Sequence, residues 1–290
     1  LGEAHRISTW ISAIIARVAG KKIVFWTHGI YGNEGYFKRK FRVNFYRLAN
    51  VLFLYGKHGV KQLTAAGIPK NKLFVINNSL DVQGQLQTIR KFQVEDLKLL
   101  RKSLCKDGDK LVVFVGRLEK AKRLDLLLNA VFILKNKSLK IKVVLIGNGN
   151  AFRELYDLAN KLGILNAVIF YGSCYDDSVV LPILTVSDIC VSPGEVGLTA
   201  MHSLICGTPV ITHDDFSNQM PEFEAIKAGR SGVFFRKGCA EDLAAKISFC
   251  LDSVDKGEIN EESCREVIKD EYTPEFQRSV FIEAVMPLFS

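Results

Sequence analysis

Four short stretches combine residue types and spacings that could do chemistry. In "FVGRLEKAKRLD", residues 114–125, an apolar run ends at Gly116, and Arg117 and Lys122 flank a short loop ahead of a helix. Two cations at a strand-to-helix turn, beside the positive end of a helix, suit a diphosphate. The plainer alternative is a solvated basic turn. In "LIGNGNAF", residues 145–152, Gly147 and Gly149 close another strand. Such glycines let a nucleotide approach the backbone, or simply make a tight turn. The pattern lacks the third glycine of the dinucleotide fingerprint, so it does not point to NAD.

The third stretch is "SPGEVGLTAMHSLICGTPVIT", residues 192–212. Gly197, Leu198 and Thr199 are expected in the first turn of a helix, whose free N–H groups and dipole make an anion site. Glu195, just ahead of it, is poorly placed for phosphate and better suited to accept hydrogen bonds from sugar hydroxyls. Its alternative role is a residue favoured by the helix dipole. In the fourth stretch, "WTHGIYGNEG", His28 follows a strand and opens a glycine-rich loop. It could act on a substrate hydroxyl or serve only structure, and His202 and His213 carry the same ambiguity. The Asp107-Gly108-Asp109 sequence reads as a turn rather than a metal-binding pair. No metal and no cofactor are expected.

The elements that must position these residues alternate between short β-rich runs and helical patterns. "KKIVFWT", "VLFLY" and "KLFVI" are expected strands of a first α/β domain, and "STWISAIIARVAG" is an amphipathic helix capped by Ser8 or Thr9. A second series, "LVVFVG", "IKVVLIG", "AVIFYG", "DICVS", "PVIT" and "GVFF", predicts a six-stranded doubly wound domain. The boundary is placed within 81–107, giving domains 1–104 and 105–273 and a terminal helix over 274–290. Ligands of such sheets lie beyond the carboxyl ends of the strands, where the loops at Gly116, Gly147, Gly172, Pro193 and Thr212 fall.

The chain has 290 residues, 48% hydrophobic, which is enough for real cores and too much for a disordered chain. A net charge of +8 suits anionic partners or plain solubility. The seven cysteines show no metal spacing, and several sit in apolar runs, which points to a reducing, cytoplasmic setting. Nucleic acid is not expected as a partner, since the aromatics largely occupy core-like runs. In "YFKRKFRVNFYR", residues 36–47, aromatics interleave with cations. That suits a helix beside anionic lipid, or a solvated basic face.

Several motifs in order resemble the retaining nucleotide-sugar glycosyltransferases of family four, which have the GT-B fold. The resemblance runs from about Trp26 to the end of the chain. "FVGRLEKAKRLDLLLNA" resembles the family's "GR-l-x-x-x-K-G" segment, and "LIGNGN" its "iGdGp" turn. "VINNSLD" looks like "viPNGvD", and "GTPVIT" and "MPEFEAIKAGRSGVFF" look like "G-x-PVi" and "PE-x-i-x-x-G-x-x-G". The resemblance implies two Rossmann-like doubly wound domains, with the N-terminal one incomplete because its opening strand-helix units are not matched. The active site would lie in the cleft between them.

It also implies transfer of a sugar from a nucleotide-diphosphate donor to a hydroxyl acceptor with retention. Arg117 and Lys122 would hold the diphosphate, together with the amides of Gly197, Leu198 and Thr199. His28 would orient acceptor or sugar. The family's two glutamates, separated by seven residues, align with Gly194 and His202. Glu195 would replace the first and His202 would reach the ribose, with Glu222 as a second candidate acid. A glycan or lipid-linked acceptor in bacterial surface polysaccharide assembly, at the inner face of the membrane, is the expected setting. A nucleotide-sugar epimerase of the same fold and a non-catalytic donor-binding fragment are the alternatives.

Overall fold

A computed structural model describes residues 4–30, 32 and 34–289 of the protein. Tyr31 and Asn33 of the expected glycine-rich loop lie outside the described residues. The chain divides into two compact units. The first comprises the residues up to Leu80, Phe216–Glu224, and the residues from Glu271 onward; the second comprises Asp81–Asp215 and Ala225–Asp270.

In the first unit the elements are α1 (Ile7–Val18), β1 (Val24–Thr27), α2 (Tyr36–Tyr46), β2 (Val51–Leu54), α3 (Lys57–Ala65) and β3 (Leu73–Val75). The three strands form a parallel sheet in the order β1-β2-β3. The four residues "VLFL" of β2 are all buried, as a central strand covered on both faces must be. Phe25, Phe45, Tyr46, Leu52, Leu54 and Leu63 pack on one face, with Phe25 and Phe45 stacked at 4.3 Å. Helix α1 begins at Ile7, with Arg6 as its first capping residue and no side-chain cap. Ser8 and Thr9, expected as caps, therefore lie inside the first turn. The chain reaches α1 from Ala4, whose carbonyl accepts the indole N–H of Trp10 at 2.9 Å, and that contact sets the start of the helix.

The second unit contains α4 (Val82–Arg90), α5 (Val94–Leu104), β4 (Lys110–Val115), α6 (Leu124–Asn136), β5 (Ile141–Ile146), α7 (Phe152–Lys161), β6 (Val168–Gly172), α8 (Asp177–Val186), β7 (Ile189–Val191), α9 (Thr199–Cys206), β8 (Val210–His213), β9 (Gly232–Phe235), α10 (Ala240–Asp255) and α11 (Glu261–Glu271). A last helix, α12 (Pro274–Val285), belongs to the first unit, where Phe281 stacks on Phe53 at 5.4 Å. The six strands are all parallel, in the order β6-β5-β4-β7-β8-β9. This is the doubly wound arrangement expected from the sequence. The chain winds outward from β4 to β6 on one side and then restarts beside β4 with β7. That reversal is the topological switch point, where open α/β sheets bind ligands.

The division differs from the boundary drawn on the sequence. Helices α4 and α5 go with the second unit, because α4 packs on α9 and α5 on α8. Phe216–Glu224 and Glu271–Tyr272 go with the first, through hydrogen bonds such as Asn77 Nδ2 to Glu271 O at 2.9 Å. No helix among the described residues is long and apolar enough to cross a membrane.

Candidate functional site

The switch point of the second unit lies between β4 and β7, paired through Val112 with Ile189 and Val113 with Cys190. The loops leaving these two strands carry Gly116–Lys122 and Ser192–Leu198, and they are hydrogen-bonded to each other. The Gly194 N–H donates to Lys122 O at 3.0 Å, and Lys122 Nζ donates to Glu195 O at 2.7 Å. A Cβ on Gly194 would lie 2.1 Å from Ala121 O and 2.7 Å from Lys122 Cα, so only glycine fits this crossing. Position 194 is therefore closed to any side chain. Glu195, one residue on, is exposed.

Helix α9 starts two residues later than the sequence suggests. Thr199 is its first residue, Leu198 its cap, and Gly197 precedes both. Among the described residues the N–H groups of Gly197, Leu198 and Thr199 donate to no protein acceptor, so they form the bare amide row of a helix start. Thr199 Oγ1 donates to Val115 O at 2.9 Å and ties this row to the end of β4. Six of the eight residues of α9 are buried, and Thr199 and His202, three apart, are the half-buried pair on its open side. Gly207, in the left-handed region at φ 88°, ends the helix.

Arg117 stands at the same strand end, with 74% of its side chain exposed and Nη1 2.8 Å from Glu119. At that exposure the ion pair is weak, and the guanidinium can turn to a ligand at little cost. Gly147 and Gly149 stand where the loops after β5 and β4 meet. Their Cβ positions fall 1.9 Å from Gly116 O and 2.3 Å from Leu118 O. These glycines let the loop after β5 lie against the loop after β4; the close approach they permit is by the protein's own backbone.

His202 Nδ1 lies 2.8 Å from the Nε2 of Gln85 on α4. Burial holds its imidazole below the usual histidine range, while Asp177 at the start of α8 acts in the opposite sense. Gln85 was not singled out in the sequence.

The first unit holds a second polar group. His28 follows β1, and its ring lies 4.6 Å from that of Tyr55. Burial holds His28 below the usual range, opposed by the Glu222 carboxylate. Glu222 is 3% exposed; its Oε1 accepts from Asn78 Nδ2, and its Oε2 is buried with no hydrogen-bond partner among the described residues. Glu224 accepts the backbone N–H groups of Lys57 at 2.7 Å and His58 at 2.6 Å. A side-chain carboxylate thus sits at the N-terminus of α3, where a helix favours an anion.

The structure therefore brings Lys122 and the segment of Glu195, Gly197, Leu198, Thr199 and His202 together where the loops after β4 and β7 meet, with Arg117 at the end of β4. His28 stands with Glu222 and Tyr55 in the first unit.

The family described as glycosyl transferases group 1 matches residues 96–270. The chain belongs to that family. An alpha-monoglucosyldiacylglycerol synthase of Streptococcus pneumoniae is 32% identical over 123 residues, covering 41% of this chain and 28% of the synthase. An uncharacterized 41.2 kDa protein in the cps region of Klebsiella pneumoniae is 28% identical over 215 residues, 71% of this chain and 53% of that protein. The chain thus spans about half or less of the length of these curated relatives. The HepE protein of Anabaena, solved in complex with UDP, has a TM-score of 0.77 at 19% identity, covering 97% of this chain and 76% of HepE. The fold is that of the GT-B glycosyltransferases, with Rossmann-like units of parallel sheet.

Proposed function

We propose that the protein is a retaining glycosyltransferase of the family-four type, moving a sugar from a nucleoside-diphosphate donor to a hydroxyl acceptor. The observation that carries this reading is the β4–β7 switch point, where the loop that bears Arg117 and Lys122 is hydrogen-bonded to the loop leading into the open amide row of α9. The leaving diphosphate develops charge as the bond to the sugar breaks. Donors aligned beforehand stabilise that charge, each by a few kcal/mol in a dry site. Arg117, Lys122 and the amides of Gly197 to Thr199 take that task. Glu195 accepts from sugar hydroxyls, His202 contacts the ribose, and His28 orients the sugar or the acceptor. The reading calls for no metal.

HepE was solved with UDP, so UDP is the first donor fragment to test. Calorimetry of UDP binding is expected to show Arg117→Ala weakened about tenfold to a hundredfold, the value of a charge-assisted hydrogen bond. Equal affinity for Arg117→Ala and the parent protein would remove the diphosphate from this crevice. A donor-binding protein without transferase activity is the second reading, favoured by the closed position at Gly194. Release of label from UDP-[14C]glucose into a lipid extract separates the two.

A membrane-associated acceptor in surface polysaccharide assembly, on the cytoplasmic face, is supported by α2. Tyr36, Phe37 and Phe41 are exposed there, interleaved with exposed Lys38, Arg39 and Lys40. Aromatic and cationic side chains side by side suit an anionic bilayer surface. The relative that acts as a diacylglycerol-lipid synthase supports the same setting.

A further inference from the structure

The open side of α9 carries an imidazole where the family pattern carries a carboxylate, and the two groups offer a ligand opposite things. A carboxylate only accepts hydrogen bonds, whereas a neutral imidazole accepts at one nitrogen and donates at the other. Which nitrogen does which is decided by the neighbour already bonded to the ring.

Here that neighbour is Gln85, on the helix packed against α9 and only 7% exposed. Its amide nitrogen lies 2.8 Å from His202 Nδ1, and its Oε1 is buried with no partner among the described residues. An amide nitrogen can only donate, so the Nδ1 that receives it is bare and the neutral ring carries its proton on Nε2. An unpartnered buried acceptor is costly, about 1–3 kcal/mol. Turning the amide over would place Oε1 on Nδ1 and require the proton there, so the tautomer of His202 reports which way the Gln85 amide lies.

We propose that Gln85 is a positioning residue that fixes His202 as a neutral hydrogen-bond donor through Nε2–H. The ligand atom that this donor fits carries a lone pair: a hydroxyl or phosphate oxygen of the nucleoside diphosphate. At His202, as at the amides of α9, the protein then donates to acceptor atoms of the ligand. This inference rests on the reading of His202 as a donor-binding residue.

The test uses the whole chain labelled with 15N-histidine. Long-range proton–nitrogen correlation spectra report the tautomer of His202, assigned by its loss in His202→Ala, and UDP binding is measured by calorimetry on the same samples. The parent protein is expected to show the Nε2–H form. Gln85→Glu, which presents acceptors of the same shape, is expected to move the proton to Nδ1 or to charge the ring. Gln85→Met, which keeps the volume and loses the donor, is expected to give a mixture. Both variants should weaken UDP about fivefold to tenfold, the value of one hydrogen bond. An Nδ1–H tautomer in the parent protein, or a tautomer indifferent to both substitutions, overturns the inference. A tautomer that follows Gln85 while UDP binds equally well to every variant, His202→Ala included, instead refutes the placement of His202 on the donor. In that case the hold of Gln85 on the ring still stands.

Discussion

Two glycines three residues apart give a sharp test of how the crevice is built. At Gly194 an added methyl would meet Ala121 O at 2.1 Å and the backbone of Lys122 at 2.7 Å. At Gly197 it would meet nothing within 4 Å. The obstacle at 194 is main chain, so it cannot swing aside as a flexible side chain would. Relief requires the two loops to part, with loss of the Gly194–Lys122 hydrogen bond and of the hold of Lys122 on the Glu195 carbonyl. Overpacking of this kind costs about 1–3 kcal/mol. For a unit of this size, a cost of about 2 kcal/mol lowers Tm by roughly 4–8 °C. Gly197→Ala, at an open site, is expected to change stability by no more than about 0.5 kcal/mol. Differential scanning calorimetry of the two variants beside the parent chain reads the difference directly, and UDP affinity should fall in Gly194→Ala. If both variants melt with the parent protein, the two loops are not held together as described. The assembly of Lys122 with the α9 amides then fails with them.

Glu224→Ala should destabilise the first unit by about 1–2 kcal/mol in urea unfolding, because it uncaps α3, and Glu224→Gln by less, since the amide oxygen still accepts. His28, His202 and His213 are each held below their ordinary pKa, chiefly by burial. The unfolded chain therefore takes up protons first as pH falls. Thermal stability should be full above about pH 6.5 and decline on acidification below it. A melting temperature that rises from pH 7 to pH 5.5 would contradict this. Burial pushes the thiols of Cys190, Cys206, Cys250 and Cys264 up to about 12. Iodoacetamide at pH 8 should therefore modify half-buried Cys174 and Cys239 and spare these four, as peptide mapping would show.

The sheet of the second unit was legible because both its faces are covered. Strands such as "KLVVFV" and "IKVVLI" then become near-continuous apolar runs that stop at glycine. The cations and the α9 segment were legible for a related reason: they follow those runs at the ends where such sheets bind ligands. Contacts made across the chain were not legible. Gln85 stands in "VQGQLQTIR", a polar pattern that reads as solvated; its burial comes from α9, more than a hundred residues away. Glu224 caps a helix that begins 167 residues earlier, and no local spacing announces such a cap. Gly147 and Gly149 read from the sequence as room for a nucleotide or as a tight turn; their contact with the loop after β4 is made across the chain, and no local spacing announces it. The start of α1 was misplaced because Ser8 suits a cap by type, while the Trp10 indole fixes the preceding turn.

The amides ahead of α9 are held at both sides, by the Thr199 hydroxyl on the end of β4 and by the Lys122 ammonium on the Glu195 carbonyl. A ligand arriving there finds donors already aligned and has little chain to order. Its association should be driven by heat released rather than opposed by lost disorder, and it should leave the amide exchange of neighbouring strands almost unchanged.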